Sequence, residues 1–82
     1  MKIPLFDLKI KDGTILKKCS ILKMGEDGGP VPIETPSEAS QFLMTYQWSN
    51  YWNKLHFQNS SLRGHIHGDS LSDYEYVGLL EL

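Results

Sequence analysis

The sequence predicts one small α+β domain in which an antiparallel sheet packs against a single helix, in the order β-β-α-β-β-β. One stretch in the middle of the chain combines a helix start signal with apolar residues at helical spacing. The segments on either side alternate in polarity and are broken by turn residues, which is typical of strands. At 82 residues, the chain buries about 60 to 65% of its unfolded surface, enough for one core and not two. Residues 1–82 are therefore expected to form a single domain.

The composition is that of a soluble globular protein, with 40% hydrophobic and 22% charged residues. A formal net charge of −2 gives no general attraction to nucleic acid or to an anionic membrane. Cys19 is the only cysteine, so no internal disulfide can form, which favours a reducing compartment. No apolar run approaches the roughly 20 residues that cross a bilayer, and charged residues interrupt the N-terminal region, where a signal peptide is apolar. We expect a soluble, cytoplasmic protein with no cofactor and no membrane partner.

Residues 3–24 are predicted to form a β-hairpin that turns at Asp12-Gly13. A two-residue type I′ turn needs positive φ at both central residues, and Asp-Gly is among the dipeptides that suit it best. The turn places the following pairs on one mostly apolar face: Ile10 with Ile15, Leu8 with Lys17, Phe6 with Cys19, and Pro4 with Ile21. Lys17 does not fit this face, which indicates that the second strand bends or lies at an edge.

Residues 25–34 are predicted to be an extended connector rich in turn residues. Gly28-Gly29 interrupts any regular element, and Pro30 and Pro32 keep the chain extended up to the helix. A glycine-rich loop before a helix also suggests a phosphate-binding cradle, which places specific glycines directly at the helix N-terminus. Here the prolines remove amides, and the acidic residues of the connector repel phosphate. The sequence therefore argues against a nucleotide-binding loop.

The central helix is predicted to begin after Thr35 and to end near residues 49–52. Thr35 and Glu38 have the spacing of a capping box, in which each side chain binds the backbone amide of the other residue. Pro36 falls at the first helical position, where its missing N–H costs nothing. An apolar stripe follows at helical spacing: Ala39, Phe42, Leu43 and Tyr46. The alternative is a longer helix that runs on to Phe57, which gives the order β-β-α-β-β.

Three strands are predicted after the helix. The first reaches Phe57, the second covers Leu62 to His67, and the third runs from Tyr74 to Leu82. Gly78 marks a bulge in the third strand. The acidic face of that strand is expected to lie beside the lysine-bearing hairpin, because opposite charges on neighbouring strands attract.

Aromatic residues are concentrated between residues 42 and 57, and one helix face and one strand face of a small domain cannot bury all of them. Tyr and Trp are enriched at protein interfaces because each combines a large contact area with a polar group. Three of these residues are predicted to bind a protein partner: Trp48, Tyr51 and Trp52. Phe42, Tyr46 and Phe57 are instead expected in the core.

The histidines are the candidates for a metal site. His65 and His67 share one strand face, and His56 on the preceding strand can approach them. A metal site needs three or four ligands that other side chains orient, and the spacing supports only the His-x-His pair. No metal is therefore predicted, and the three histidines stay weak candidates.

Catalytic residues are not predicted. The chain has none of the common catalytic signatures. Cys19 falls on the apolar face of the hairpin, where a core position explains it better than a nucleophile does. We therefore do not expect an enzyme.

The leading functional interpretation is a small non-enzymatic protein-binding module, such as an inhibitor or accessory factor that acts on a larger protein. Two alternatives stay open. One is a small-ligand or metal-binding protein that uses the His-x-His strand, and the other is a nucleic-acid accessory protein that uses Lys9, Lys11 and Lys18 of the hairpin. A nucleic-acid partner is not expected, because the aromatic residues that would stack bases lie elsewhere in the chain. The sequence does not decide between a monomer and a homodimer.

Overall fold

The computed structural model describes residues 2–47, 54–60, 62–67 and 70–81. The elements are β1 (Lys2–Ile10), β2 (Ile15–Met24), β3 (Pro30–Pro32), α1 (Pro36–Gln47), β4 (Lys54–Gln58), β5 (Arg63–His67) and β6 (Leu71–Glu81). The strands pair antiparallel in the order β5-β4-β2-β1-β6, and β3 also pairs with β2. The predicted α+β class is confirmed. Within the described ranges, no helix is long and apolar enough to span a membrane.

β1 and β2 form the predicted hairpin, but a different turn connects them. The N–H of Gly13 donates to the carbonyl of Ile10, and the N–H of Ile10 donates to the carbonyl of Thr14, both at 2.9 Å. Gly13 has a φ of 96°, whereas Asp12 does not enter the positive-φ region, so the connection is a three-residue loop with a glycine bulge. The predicted two-residue turn is wrong, because the Asp12 carboxylate accepts the N–H of Thr14 at 2.8 Å and holds a local turn of its own.

The longer loop shifts the strand register by one residue, and a bulge in β2 restores it. The observed pairs are Lys9 with Ile15, Leu8 with Leu16, and Phe6 with Cys19. Of these pairs, the last matches the prediction. Lys18 in the bulge has a φ of 52°, and its N–H donates to Oδ1 of Asp7 at 3.0 Å. Lys17 is exposed beside it. Of the two alternatives predicted from this residue, the bulge favours a bend, because a bulge bends its strand, and β2 does not lie at an edge of the sheet.

β3 replaces the extended connector that the sequence predicts. It pairs with the second half of β2: Leu22 with Pro32, Lys23 with Val31, and Met24 with Pro30. Before the strand, the N–H of Gly25 donates to the carbonyl of Gly29 at 2.7 Å. After it, the N–H of Ile33 donates to the carbonyl of Ile21 at 2.8 Å. Prolines at alternate positions are compatible with a short edge strand, because only one of its edges has to supply N–H groups.

α1 begins at Pro36, as predicted, and Thr35 caps it. The N–H of Glu38 donates to Oγ1 of Thr35 at 3.4 Å, a long hydrogen bond, and the N–H of Ala39 donates to the Thr35 carbonyl at 3.1 Å. In place of the reciprocal half of the predicted capping box, the Glu38 carboxylate binds Nζ of Lys23 on β2 at 2.9 Å. This ion pair joins the first turn of the helix to the sheet.

The predicted end of the helix near residues 49–52 lies outside the described residues, and α1 is described up to Gln47. The alternative of a helix that reaches Phe57 is wrong, because β4 begins at Lys54. Buried and exposed residues alternate along β4, as expected for a strand with one covered face.

α1 packs over β1 and β6 and covers one face of the sheet, which we call the covered face. The core beneath it consists of Phe6, Leu8, Cys19, Ile21, Ile33, Ala39, Leu43, Leu55, Phe57 and Leu71. Of the predicted helical stripe, Ala39 and Leu43 are fully buried. Phe42 and Tyr46 are half-buried at the edge of the core, so the core position expected for them is only partly correct.

The opposite face of the sheet carries no helix among the described elements, and we call it the open face. Ile3 and Ser20 are buried there, whereas Leu80 is 44% exposed. The alternation along β4 directs the exposed His56 away from the buried Leu55 and Phe57. The open face is therefore partly apolar and partly polar.

β6 lies beside β1, where the acidic last strand is expected. It begins at the buried Leu71, earlier than the predicted start at Tyr74. Oppositely charged pairs along the two strands include Lys9 with Asp73 and Lys2 with Glu81. The register shifts next to Gly78, whose φ is 139°, so the predicted bulge is confirmed. Leu82, the predicted last residue of the strand, lies outside the described residues.

Candidate protein-binding groove and histidine pair

An apolar groove opens where the later turns of α1 meet β2, β3 and β4. Its volume is about 170 Å³, and its lining residues are Leu22, Lys23, Met24, Pro30, Phe42, Tyr46 and His56. The pairing of Met24 with Pro30 brings β3 to one side of the groove. Helical spacing puts Phe42 and Tyr46 next to each other on the other side. The consecutive elements β2, β3 and α1 thus form one surface with β4.

Phe42 and Tyr46 form the aromatic wall of the groove. Their ring centroids are 5.3 Å apart and the ring planes are inclined by 46°, a tilted arrangement that aromatic pairs favour. Both residues are half-buried, so part of each ring stays accessible. Burial raises the pKa of the Tyr46 phenol. A tyrosine hydroxyl is protonated at neutral pH even without this shift, so it can donate a hydrogen bond.

The rim of the groove combines an exposed methionine with a neutralised charge. Met24 is 70% exposed. Lys23 lies next to it in the chain, but its Nζ is 2.9 Å from the Glu38 carboxylate, so the pair adds little net charge. Because the two side chains are 39% and 45% exposed, their ion pair stabilises the fold by at most about 1 kcal/mol.

The predicted partner-binding residues Trp48, Tyr51 and Trp52 lie outside the described residues. Tyr46 and His56, which line the groove, flank this aromatic stretch in the sequence. Met24 and Pro30 are not predicted from the sequence as parts of such a surface. Their position beside the helix depends on β3, which local sequence patterns do not predict.

The strand register brings His56 and His65 together. They lie directly opposite each other on β4 and β5, and their ring centroids are 5.7 Å apart with the planes inclined by 54°. Both side chains are exposed. His67 instead lies opposite Lys54. In the part of the chain that the structure describes, no group of three or more His, Cys, Asp or Glu side chains is placed to hold a metal ion.

Cys19 is a core residue, and its surroundings keep the thiol protonated. The residue is 0% exposed, and its Sγ lies 3.7 Å from the carbonyl of Lys17 and 3.9 Å from Nδ2 of Asn59. Burial raises the pKa of the thiol to about 11. The hydrogen bond from Asn59 lowers this pKa by a smaller amount, and the negative charge of Asp7 raises it further. A thiol with this pKa is a poor nucleophile at neutral pH.

The basic face of the hairpin is interleaved with acidic residues. Lys9, Lys11 and Lys18 are exposed, but β6 places Asp73 opposite Lys9. A shallow depression at this place is lined by Asp7, Lys9, Ile15, Asp73, Tyr74 and Glu75. Such a mixture of charges does not favour the phosphate backbone of a nucleic acid, which binds to uncompensated Lys and Arg.

A wider depression of about 400 Å³ lies on the open face. Its lining residues are Ile3, Leu5, Lys18, Ser20, Pro32, Gln58, Asn59, Ser60 and Leu80. Among these described residues, Lys18 is the only one that carries a charge. The depression therefore offers apolar and hydrogen-bonding contacts but no acid–base pair for catalysis.

Comparison of the chain with known protein families, with curated proteins and with solved structures finds no match.

Proposed function

We propose that this protein is a small non-enzymatic protein-binding module, an inhibitor or accessory factor that acts on a larger protein. The apolar groove between α1, β2, β3 and β4 carries the proposal, and its occupant is one apolar side chain of the partner. Trp48, Tyr51 and Trp52 belong to the same proposed contact surface, because their stretch follows Tyr46 and precedes His56 in the sequence.

The size of the groove supports a side chain rather than a cofactor as the occupant. Pockets for small-molecule ligands usually measure about 300 to 1,000 Å³, whereas this groove measures about 170 Å³. An apolar cavity of about 150 Å³ holds a benzene molecule, so the groove accommodates one aromatic or branched aliphatic side chain. Anchor residues at protein interfaces fill pockets of this kind.

The residues of the groove also support a protein partner. Aromatic residues and Met are enriched at protein interfaces, and Met adapts its shape to different contacts. Met24 exposes 70% of its surface, and its burial by a partner is favourable because apolar area leaves water. The protonated hydroxyl of Tyr46 provides a hydrogen bond that can orient the partner.

The proposal includes a cytoplasmic location and the absence of catalysis. The single cysteine supports a reducing compartment, because it has no second cysteine in the chain with which to form a disulfide. The protonated thiol of Cys19 supports a structural role for this residue.

Met24→Glu tests the groove, and Met44→Glu is the matched control. Both methionines are exposed, Met24 at 70% and Met44 at 50%, but Met44 does not line the groove. A carboxylate at position 24 disfavours the insertion of an apolar side chain of the partner into the groove. The stability of the fold stays nearly unchanged, because the substituted side chain is already in water. Wild type and both variants are immobilised and exposed to extract of the native host. The dissociation constant of each purified candidate partner is then measured for all three proteins.

We expect one protein that binds the wild type and Met44→Glu with equal affinity and Met24→Glu about thirtyfold more weakly, the loss typical of an anchor position. Equal affinity for the two methionine variants contradicts the groove as the binding site. A wild-type dimer that Met24→Glu dissociates in sedimentation experiments shows that a second copy occupies the groove, which contradicts a larger partner.

Trp48→Ala and Trp52→Ala test the aromatic part of the surface with the same partner. Each loss of a large aromatic anchor is expected to weaken binding by about thirtyfold, while the circular dichroism spectrum stays that of the wild type. Unchanged affinity in both variants removes these residues from the contact surface, whatever the result at Met24.

A further inference from the structure

Two imidazoles from neighbouring strands lie side by side at the surface. We propose that His56 and His65 together bind one divalent transition-metal ion, Zn²⁺ or Ni²⁺, with water at the remaining coordination positions. This site differs from the His-x-His interpretation of the sequence, because its ligands come from β4 and β5 and not from one strand. It also stands apart from the proposed protein-binding function, although His56 lines the groove as well.

The separation of the two rings fits a shared ion. An imidazole nitrogen binds zinc at about 2.0 to 2.1 Å, which puts the ring centroid about 3.2 Å from the metal. Two rings at a tetrahedral angle then have centroids about 5.2 Å apart, and those of His56 and His65 are 5.7 Å apart. Small side-chain rotations close this difference, and both residues are exposed and free of core packing.

The sheet brings the two ligands together before any ion binds. His56 and His65 are a directly opposite pair, flanked in the ladder by the pairs Leu55 with Ile66 and Phe57 with Gly64. Leu55 and Phe57 are buried and fix the position of β4 in the domain. The second imidazole therefore acts at a high effective concentration once the first has bound.

The ligand chemistry decides which ions bind. Imidazole suits zinc, nickel and copper, whereas Mg²⁺ and Ca²⁺ prefer oxygen ligands. The exposed residues on either side of the pair include Lys54 and Arg63, whose positive charges lower the affinity. With two protein ligands, the site binds more weakly than a structural zinc site, which has four.

Titration of the purified protein with NiCl₂ or ZnCl₂ alone, followed by calorimetry, tests the site. The variants are His56→Gln, His65→Gln and His67→Gln, and each replaces an exposed side chain. His67→Gln is the matched control, because it removes the second histidine of the His-x-His motif and leaves the cross-strand pair intact. Circular dichroism shows whether each variant keeps the wild-type fold.

We expect the wild type to bind one ion per chain with a dissociation constant below about 100 µM, since the paired ligands act together. His56→Gln and His65→Gln each weaken binding by about tenfold or more, the smallest loss expected for a direct ligand. His67→Gln changes the affinity by less than about twofold. Paramagnetic Ni²⁺ broadens the imidazole NMR signals of His56 and His65 before that of His67.

Three results overturn the proposal. The first is no saturable binding of either ion by the wild type in this range. The second is an equal loss of affinity in His67→Gln and His65→Gln with His56→Gln unaffected, which assigns the ion to the His-x-His pair. The third is unchanged binding in His65→Gln, which excludes this residue as a ligand. None of these results bears on the Met24 groove, which is tested with a protein partner and no metal.

Discussion

The two faces of the sheet come from the same strands but have opposite characters. On the covered face, Phe6, Cys19 and Leu43 pack together at 0% exposure. On the open face, Leu80 stays 44% exposed, and the depression that it lines also contains the exposed Gln58. Because successive side chains of a strand point to opposite faces, neighbouring positions in one strand serve the core and the surface.

This difference shows how a small chain divides its side chains between stability and binding. The one helix among the described residues is described over 12 residues, and it covers one face of the sheet. Burial of apolar area on that face stabilises the fold, so substitutions there are expected to act mainly on folding. The open face buries less, and polar groups such as that of Gln58 are accommodated there at little cost because they stay in contact with water.

The largest contrast is expected between Leu43→Ala on the covered face and Leu80→Ala on the open face. Removal of a fully buried leucine side chain leaves a cavity and lowers the free energy of unfolding by about 2 to 5 kcal/mol. The same substitution at Leu80 is expected to cost about 1 kcal/mol or less, because that residue is already 44% exposed. Urea denaturation followed by circular dichroism measures both values. Equal losses contradict the distinction between the two faces.

A smaller effect is expected from the thiol of Cys19 at high pH. Its pKa is about 11 in the folded protein and 9.0 without the fold, so the folded state retains the proton longer. The protonated thiol therefore contributes to the free energy of unfolding, and this contribution is complete below about pH 9. It decreases as the pH rises towards about 11, by no more than about 1.4 kcal/mol for each pH unit. Denaturation at about pH 8 and about pH 10.5 is compared for the wild type and Cys19→Ala.

The loss of stability with rising pH is expected to be larger in the wild type than in Cys19→Ala. Other groups that titrate in this range, such as Tyr46, are present in both proteins and cancel in the comparison. The same loss in both proteins means that the Cys19 thiol is not protected by the covered face.

The smallest effect is expected from Thr35→Ala at the start of the helix that covers the sheet. The capping hydrogen bond from the N–H of Glu38 is 3.4 Å long, so the loss should be near the lower end of the range for caps, about 0.5 kcal/mol. Ser37→Ala is the control, because Ser37 is an exposed residue within the same helical turn. A denaturation midpoint that drops equally in both variants argues against a specific role of Thr35.

Local chemistry was sufficient to predict several elements. Pro36 after a capping Thr35 gave the start of α1, because a helix N-terminus is organised by residues within one turn. Alternation between buried and exposed positions gave β4 and β5, since the period of a strand is a local property. The misfit of Lys17 indicated the bend in β2, although it did not show where the register would shift.

The candidate sites depended on contacts that local chemistry does not describe. The groove needed β3 to pair with β2 beside Tyr46, and the prolines of β3 suggested a connector instead. The sequence supported His65 with His67, while the register of β4 against β5 paired His65 with His56.

The sequence by itself therefore determined the fold class, the helix start and the alternation of the strands, because each follows from residues that are neighbours in the chain. The tertiary structure alone decided the third strand, the bulge at Lys18, the groove and the histidine pair. Each of these depends on the relative positions of distant segments. Those positions are set by the shared burial of the core and by hydrogen bonds between strands, and no segment specifies them on its own.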